Sequence, residues 1–381
     1  MRGAFLSIGV RAVVNVEALN MVESVGNVTR HRRATMVFRR GARYFVRIVP
    51  VISGESLAHA YQWWIAELAR HRYPADKVPL CEYCERGEFL KHCDVKLFGS
   101  KQWEQQLRSL LGVAKEEVAE KGKEEGGEEA KSGEARKGRR SSRKATYDPH
   151  EVEKIIVKNC VVEDIGGFLY PGDRPVKRTS RFQVSYMVPT VESLEAGAAA
   201  IEPQFHVRHS PTRTAREGQQ EVAGQMMYYV ETGSATYALT FNLDAGGIGR
   251  TSMLRVEQVV DAEELRRRVE LAVDALALML DSRIFGAKLS RFTPIIEYET
   301  VLAAVSSYPP FTLSPPALRG FAESTARRAA EYKKVFGADV MLVGFGEGLP
   351  EVIEKRDSLI ELFSRIKELL LSRIEERKES P

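Results

Sequence analysis

The sequence predicts an α+β fold, on three observations. In residues 10–17 the even positions Val10, Ala12, Val14 and Val16 are apolar, while Arg11, Asn15 and Glu17 are polar. That is the alternation of a strand with one buried face. Helical spacing follows in Leu57, Tyr61, Trp64, Ile65 and Leu68, and returns in Leu265, Val269, Val273, Leu276 and Leu280. Around these helices the chain returns repeatedly to β-rich stretches. Its 381 residues suffice for two domains, or for one domain with large insertions.

The elements follow in order. Residues 34–40 and 43–51 flank Gly41-Ala42 as a hairpin. Ser53 then caps the first helix. A cysteine-rich stretch and an amphipathic segment, residues 102–111, lead into residues 115–144, built almost wholly from Lys, Glu, Arg, Gly, Ser and Ala. Such a segment buries too little apolar surface to offset its ordering entropy, so a disordered charged linker is expected. Its end carries Arg136, Lys137, Arg139, Arg140, Arg143 and Lys144, either as a solvated linker or as a tail that touches phosphates.

Strands are expected to resume at 154–163, on Ile155, Val157 and Val161, and at Phe182, Val184, Tyr186 and Val188. Residues 226–231 and 237–243 read as a hairpin around Gly233-Ser234. The polar, Arg-rich residues 190–225 read as a functional loop or insertion. A helix at 262–280, a strand at 292–305, a helical stretch to Phe336, a strand at 339–343 and a charged helix from 350 complete the chain. The order strand, helix, strands, helix, strand, with one sheet face left polar, suits a modified RRM or ferredoxin-like core. The expected organisation is a discontinuous core of residues 1–55 and 150–308, with an insertion at 56–149 and C-terminal strand and helices at 309–381.

The net charge of +4 does not by itself demand a nucleic-acid partner; the placement of the charge says more. Asn15, Asn20, Asn27, Thr29, Arg30, His31 and Arg32 gather where the first strand runs out into a loop. Amides, hydroxyls and guanidinium groups suit phosphates and 2′-hydroxyls, though a charged surface turn has the same composition. Ser53-Gly54 opens a helix whose free N–H groups could face a phosphate. Arg174, Lys177, Arg178 and Arg181 form a basic strip able to neutralise several phosphates; a strand edge guarded by charge is the bland alternative.

Taken together, the run from Asn15 to Arg32, Ile52-Ser53-Gly54-Glu55, Gly166-Gly167-Phe168, Arg178-Thr179-Ser180-Arg181, Gln204-Phe205-His206-Val207-Arg208 and Lys288-Leu289-Ser290-Arg291-Phe292 resemble the DevR-type backbone subunit of archaeal CRISPR Cascade. The order and spacing match over about residues 5–305. The resemblance implies a modified RRM fold with a thumb-like loop at about 167–225. It implies that copies assemble head to tail in a helical filament along single-stranded CRISPR RNA, beside other Cascade subunits. The implied RNA-binding set adds His59, His206, Arg208, Lys288 and Arg291 to the residues above. The cysteine-rich segment and the charged linker depart from the type I-A pattern and leave a type I-D subunit as an alternative.

Cys81-Glu82-Tyr83-Cys84 followed by His92-Cys93 has the Cys-x2-Cys turn that aims two thiolates at one point. A structural zinc on Cys81, Cys84 and Cys93 is expected, with His92 as the fourth ligand, or His71 or a distant histidine in its place, and with reduced loop thiols as the alternative. His206 with Arg208 and His209 could form a ribonuclease acid–base pair, but no carboxylate or lysine partner is evident among its neighbours in sequence. Gly344-Phe345-Gly346-Glu347-Gly348 lacks dinucleotide-loop spacing. No helix-turn-helix with a basic recognition helix is evident, which counts against a DNA-binding regulator. The chain is therefore expected not to be an enzyme. No apolar run nears the roughly 20 residues of a membrane span, and no signal peptide is legible; a cytoplasmic protein is expected.

Overall fold

The structure, a computed structural model, describes residues 3–94, 96, 98–112, 147–210 and 224–376. The first elements are β1 (Phe5–Glu17), β2 (Met21–Val25), β3 (Val28–His31), β4 (Arg33–Arg40), β5 (Arg43–Pro50) and α1 (Gly54–Arg72). Then come α2 (Glu82–Glu85), α3 (Gln102–Leu110), α4 (Pro149–Asn159), α5 (Val161–Gly166), β6 (Phe168–Tyr170), β7 (Val176–Arg178), β8 (Phe182–Val184) and β9 (Val188–Pro189). The remainder is α6 (Val191–Glu195), β10 (Ala200–Ser210), β11 (Gly224–Asp244), α7 (Ala262–Asp281), β12 (Ile295–Ser306), α8 (Phe321–Phe336), β13 (Val340–Gly346), β14 (Glu354–Arg356) and α9 (Leu359–Glu376). The chain divides into two units.

The first unit comprises Met1–Ile65, Arg181–Ile248 and Arg266–Pro381. Its axis is β1, paired antiparallel with β11 on one side and β12 on the other. The sheet runs β14-β13-β12-β1-β11-β3-β2, with β8, β9 and β10 also paired to β11. It is mixed, since β3 lies parallel to β11 and β14 parallel to β13. The even side chains of β1, Leu6, Ile8, Val10, Ala12 and Val14, are buried, as the alternation requires. On that face Tyr61 of α1 packs edge-on against Phe241 of β11 and donates its hydroxyl to the Ala272 carbonyl of α7 at 2.9 Å.

The odd face of β1 is not left open, contrary to expectation. The Ser7 hydroxyl sits 2.6 Å from Asn242 Oδ1 and accepts the Leu313 amide. Gly9 leaves room for Leu313 and Phe321, 3.3 and 3.5 Å from where a Cβ would stand. The Arg11 guanidinium lies 5.0 Å from the Phe321 ring centre and donates to the Pro316 and Leu318 carbonyls at 2.7 Å. Leu302, Ala304, Phe311, Leu313, Phe321 and Ala329 complete this second core under α8. Ser7 and Arg11, on this face of β1, are ligands for the chain's own C-terminal half.

Two further expectations fail for identifiable reasons. Residues 154–163 form α4 and α5, not a strand. Pro149, Val152, Glu153, Ile156 and Val157 are buried at helical spacing, with Asp148 as N-cap and Pro149 in the first turn. A charged residue in that buried stripe, Glu153, hides the period. Residues 226–243 do not turn at Gly233-Ser234 but run straight through β11. Gly233 serves close approach instead: a Cβ there would stand 2.5 Å from Glu17 Oε1 and 3.0 Å from the Tyr237 hydroxyl.

Within residues 190–225, α6 is followed by β10, which pairs antiparallel with β11 from Ala200↔Ser234 to Ser210↔Gly224. The expected alternation at 182–188 is interrupted: Phe182 and Met187 are buried while Tyr186 is exposed. The β4–β5 hairpin packs Phe38 and Val49 with Val191 and Leu194. The second unit, Ala66–Ser180 and Gly249–Leu265, has its own core of Phe98, Leu107, Tyr147, Val152, Ile156, Phe168 and Tyr170. The charged linker expected at 115–144 lies outside the described residues.

Candidate nucleic-acid interface

The polar block begins where β1 ends. The register slips between Val14 and Glu17, and Val16 takes a φ of 54°. This bulge turns Glu17 inward. Its Oε1 lies 2.6 Å from His31 Nε2 and accepts the Tyr237 hydroxyl at 2.8 Å, and its Oε2 accepts the Leu19 amide at 2.8 Å. His31 Nδ1 is 2.8 Å from the Arg32 carbonyl, and the His31 amide donates to Glu231 Oε2 at 2.9 Å. Arg33 closes the group on Glu231 Oε1 at 2.5 Å. Burial disfavours charge on His31, but the Glu17 hydrogen bond and charge, the Arg32 carbonyl and Glu231 together hold its pKa above the ordinary value.

Asn20, Ser53 and Gly54 are architectural in the same way. Asn20 Oδ1 accepts the Ser53 amide at 2.7 Å, and its carbonyl accepts the Arg32 amide at 2.8 Å. The Ser53 hydroxyl caps α1 by accepting the Ser56 amide at 3.3 Å. A Cβ on Gly54 would lie 2.8 Å from the Val184 carbonyl oxygen. His31 was expected among the RNA contacts; its side chain is wholly buried in this network. Asn27 and Arg30 remain exposed on the β2–β3 hairpin, with Thr29 half-buried beside them. The Asn27 carbonyl accepts the Tyr229 amide at 2.8 Å, and Arg30 lies 3.6 Å from Glu23. Arg32 is half-buried, and its Nε is buried with no hydrogen bond among the described residues. Asn15 is half-buried opposite Ile295.

A cleft of about 350 Å³ lies beside this scaffold, lined by Asn20, Met21, Ser56, His59, Trp63 and residues 284–287 and 289. The same loop exposes Lys288 and Arg291. Lys288 has a φ of 56°, and its carbonyl accepts the Phe292 amide at 3.0 Å. Phe292 meets the His206 ring edge-on at 5.5 Å, and His206 stacks on Tyr228 at 5.3 Å. His206 Nε2 is buried with no hydrogen-bond partner among the described residues. Arg208 is exposed two residues further along β10.

The structure thus brings Asn20, His59, His206, Lys288 and Arg291 to one loop and its neighbours. His206 has aromatic neighbours, Tyr228 and Phe292, and among the described side chains none forms an acid–base pair with it. Trp63 and Tyr228 were missed as site residues in the sequence, and Phe292 entered only as the end of the 288–292 motif. Their signal, aromatic residues interleaved with the basic ones, is too common to single out.

In the second unit the basic strip splits by strand parity. Arg174 and Lys177 are exposed, whereas Arg178 is buried. Arg178 Nη2 pairs with Asp164 Oδ1, its Nε donates to the Asp164 carbonyl at 2.8 Å, and Nη1 reaches the Arg250 carbonyl at 2.5 Å and Glu153 at 3.4 Å. Arg178 therefore holds its own unit together and offers no free face for phosphate. Arg174 donates to the Tyr147 carbonyl at 2.8 Å. In the first unit Arg181 is mostly buried and lies 3.2 Å from Asp244.

The cysteines also gather differently from expectation. Cys81, Cys84, Cys160 and Glu163 are all buried, with one ligand atom from each within 4.8 Å of the others, a group that could hold a metal ion. Cys93 is exposed. The His92 ring is engaged elsewhere, with Nδ1 2.7 Å from Glu163 Oε1 and Nε2 3.4 Å from Glu104 Oε1. Cys160 lies far along the sequence, so spacing could not have found it.

No helix among the described residues is long and apolar enough to cross a membrane. Fold and site define a mixed α+β protein with a cleft lined by His59 and Trp63 beside a loop that exposes Lys288 and Arg291. Its fold is that of a chain in a solved CRISPR RNA-guided surveillance complex in a pre-nicking state, at a TM-score of 0.53 and 13% identity over 97% of this chain and 100% of that one. The chain belongs to the CRISPR-associated DevR/Csa2 family, whose model, described as a negative auto-regulator, matches residues 8–326. Among its relatives is the CRISPR-associated protein Cas7/Csa2 1 of Saccharolobus solfataricus, 34% identical over 82% of this chain and 81% of that protein. The CRISPR-associated aCascade subunit Cas7/Csa2 2 of the same organism is 32% identical over 94% of this chain and 99% of that protein.

Proposed function

We propose that the chain is a non-catalytic backbone subunit of a type I CRISPR surveillance complex that coats single-stranded guide RNA, largely independently of its sequence. The observation that carries this reading is that the loop lining the cleft with residues 284–287 and 289 exposes Lys288 and Arg291 and leads into Phe292, which meets the stacked His206–Tyr228 pair. Cations of this kind grip phosphate, and aromatic faces accept any base. Family membership and an aCascade subunit among the relatives support it. So does the order β12-β1-β11-β8 with α1 and α7, which we read as a modified RRM core. The usual stacking platform of such a core would be the face that α8 covers, so the RNA would be held by loops and edges. In this reading the partners are guide RNA, further copies of the chain and other Cascade subunits.

The test is an affinity series against single-stranded homopolymer RNAs at several salt concentrations. Affinities should be similar across sequences and fall steeply with salt. Tight preference for one short sequence would overturn the proposal.

A further inference from the structure

We propose that Cys81, Cys84, Cys160 and Glu163 form a structural zinc site that staples the Cys-x2-Cys turn to the α4–α5 junction. The four residues are all buried, and their ligand atoms lie within 4.8 Å of one another. A zinc tetrahedron with Zn–S near 2.3 Å has edges of roughly 3.8 Å, so closure needs shifts of at most about 1 Å. Cys160 Sγ lies within 4.8 Å of both the Cys81 and the Cys84 sulfur. Cys81 also caps α2, its Sγ 3.4 Å from the Cys84 amide, so the helix start orients the first two thiols together.

Glu163 supplies the fourth ligand and His92 positions it. His92 Nδ1 stands 2.7 Å from Glu163 Oε1, and the His92 amide donates to Oε2 at 3.1 Å. Glu104 lies on the far side of the imidazole at 3.4 Å. Carboxylates that ligate zinc are themselves held by hydrogen bonds from an outer layer of residues, the part that His92 takes here. Four filled positions leave none for substrate, so the ion is structural. Binding releases the protons of the three thiols.

The staple has a specific target. Glu163 is followed by Asp164, which pairs with Arg178 and accepts the Gly249 amide at 2.9 Å. The ion therefore fixes the short helix α5, from which β7 and the exposed Lys177 are hung. The site is independent of RNA binding, and its test reads metal alone.

The experiment is elemental analysis of the full-length protein purified without chelator. Wild type and Cys93→Ser should each carry about one zinc per chain, while Cys160→Ser and Cys81→Ser should lose at least nine-tenths of it. Retention in Cys160→Ser with loss in Cys93→Ser would overturn the ligand set, as would wild type that neither carries zinc nor takes it up on dialysis. Should the cysteine variants fail to fold, thiol alkylation of wild type, mapped by mass spectrometry, decides. Cys93 should react while zinc stays bound, and Cys81, Cys84 and Cys160 should become reactive together as a chelator removes it. Protection of Cys93 that a chelator relieves would sink the assignment.

Discussion

Glu17 and His31 are buried polar residues of the first unit. Their side chains are completely buried, 2.6 Å apart. Removing one partner leaves the other without its counter-charge, so Glu17→Ala should cost about 3–5 kcal/mol in denaturant unfolding. The pH dependence has a definite sign. His31 holds its proton more tightly folded than unfolded. Its contribution is therefore complete below the ordinary histidine value of about 6.5 and fades as pH rises through the folded value. The melting-temperature gap between wild type and His31→Gln should be widest near pH 6 and narrow on alkalinisation; a gap that widens would contradict the pairing. Lys288 and Arg291 behave in the opposite manner. Both are exposed, so Lys288→Ala and Arg291→Ala should leave stability within about 0.5 kcal/mol. Each should weaken RNA binding and reduce the salt slope by about 0.7 per lost phosphate contact. Unchanged slopes in both variants would remove the cleft from the RNA path.

At the level of elements, α1 depends on how closely its first residue approaches β8. Gly54→Ala would place a Cβ 2.8 Å from the Val184 carbonyl, a backbone atom that cannot swing aside. A loss of about 1–3 kcal/mol in unfolding free energy is expected, and wild-type stability would show that the contact relaxes. Elements with a clean apolar period were legible in the sequence: β1, the β4–β5 hairpin, α1, α7, β12 and α9. The helix α4, with Glu153 in its buried stripe, was not. Glu153 sits in the core because the Ser252 and Met253 amides and Arg178 satisfy it, and no periodicity rule anticipates such partners. Gly233 misled for a different reason: the same absence of a side chain serves a turn or a tight approach, and only the position of Glu17 decides which. The candidate site was legible in residue type but not in orientation. Arg178 and Lys177 are neighbours in sequence, and strand parity sends one inward and the other out.

For the whole molecule, the proposed function predicts assembly. Mixed with single-stranded RNAs of increasing length, the chain should form complexes whose mass rises in whole-chain steps with RNA length. A fixed one-to-one complex at every length, measured by analytical ultracentrifugation, would refute coating. The covered face of the sheet carries a separate consequence. Arg11 looks in the sequence like an exposed cation available to a ligand, yet it is clasped by Phe321, two carbonyls and Glu192. In a library of random variants scored for guide retention, hits at Ser7, Gly9 and Arg11 would cluster with hits in α8 and would vanish once the signal is normalised to soluble protein. The surface that most looks like a reading head in one dimension would then behave, genetically, as an internal seam.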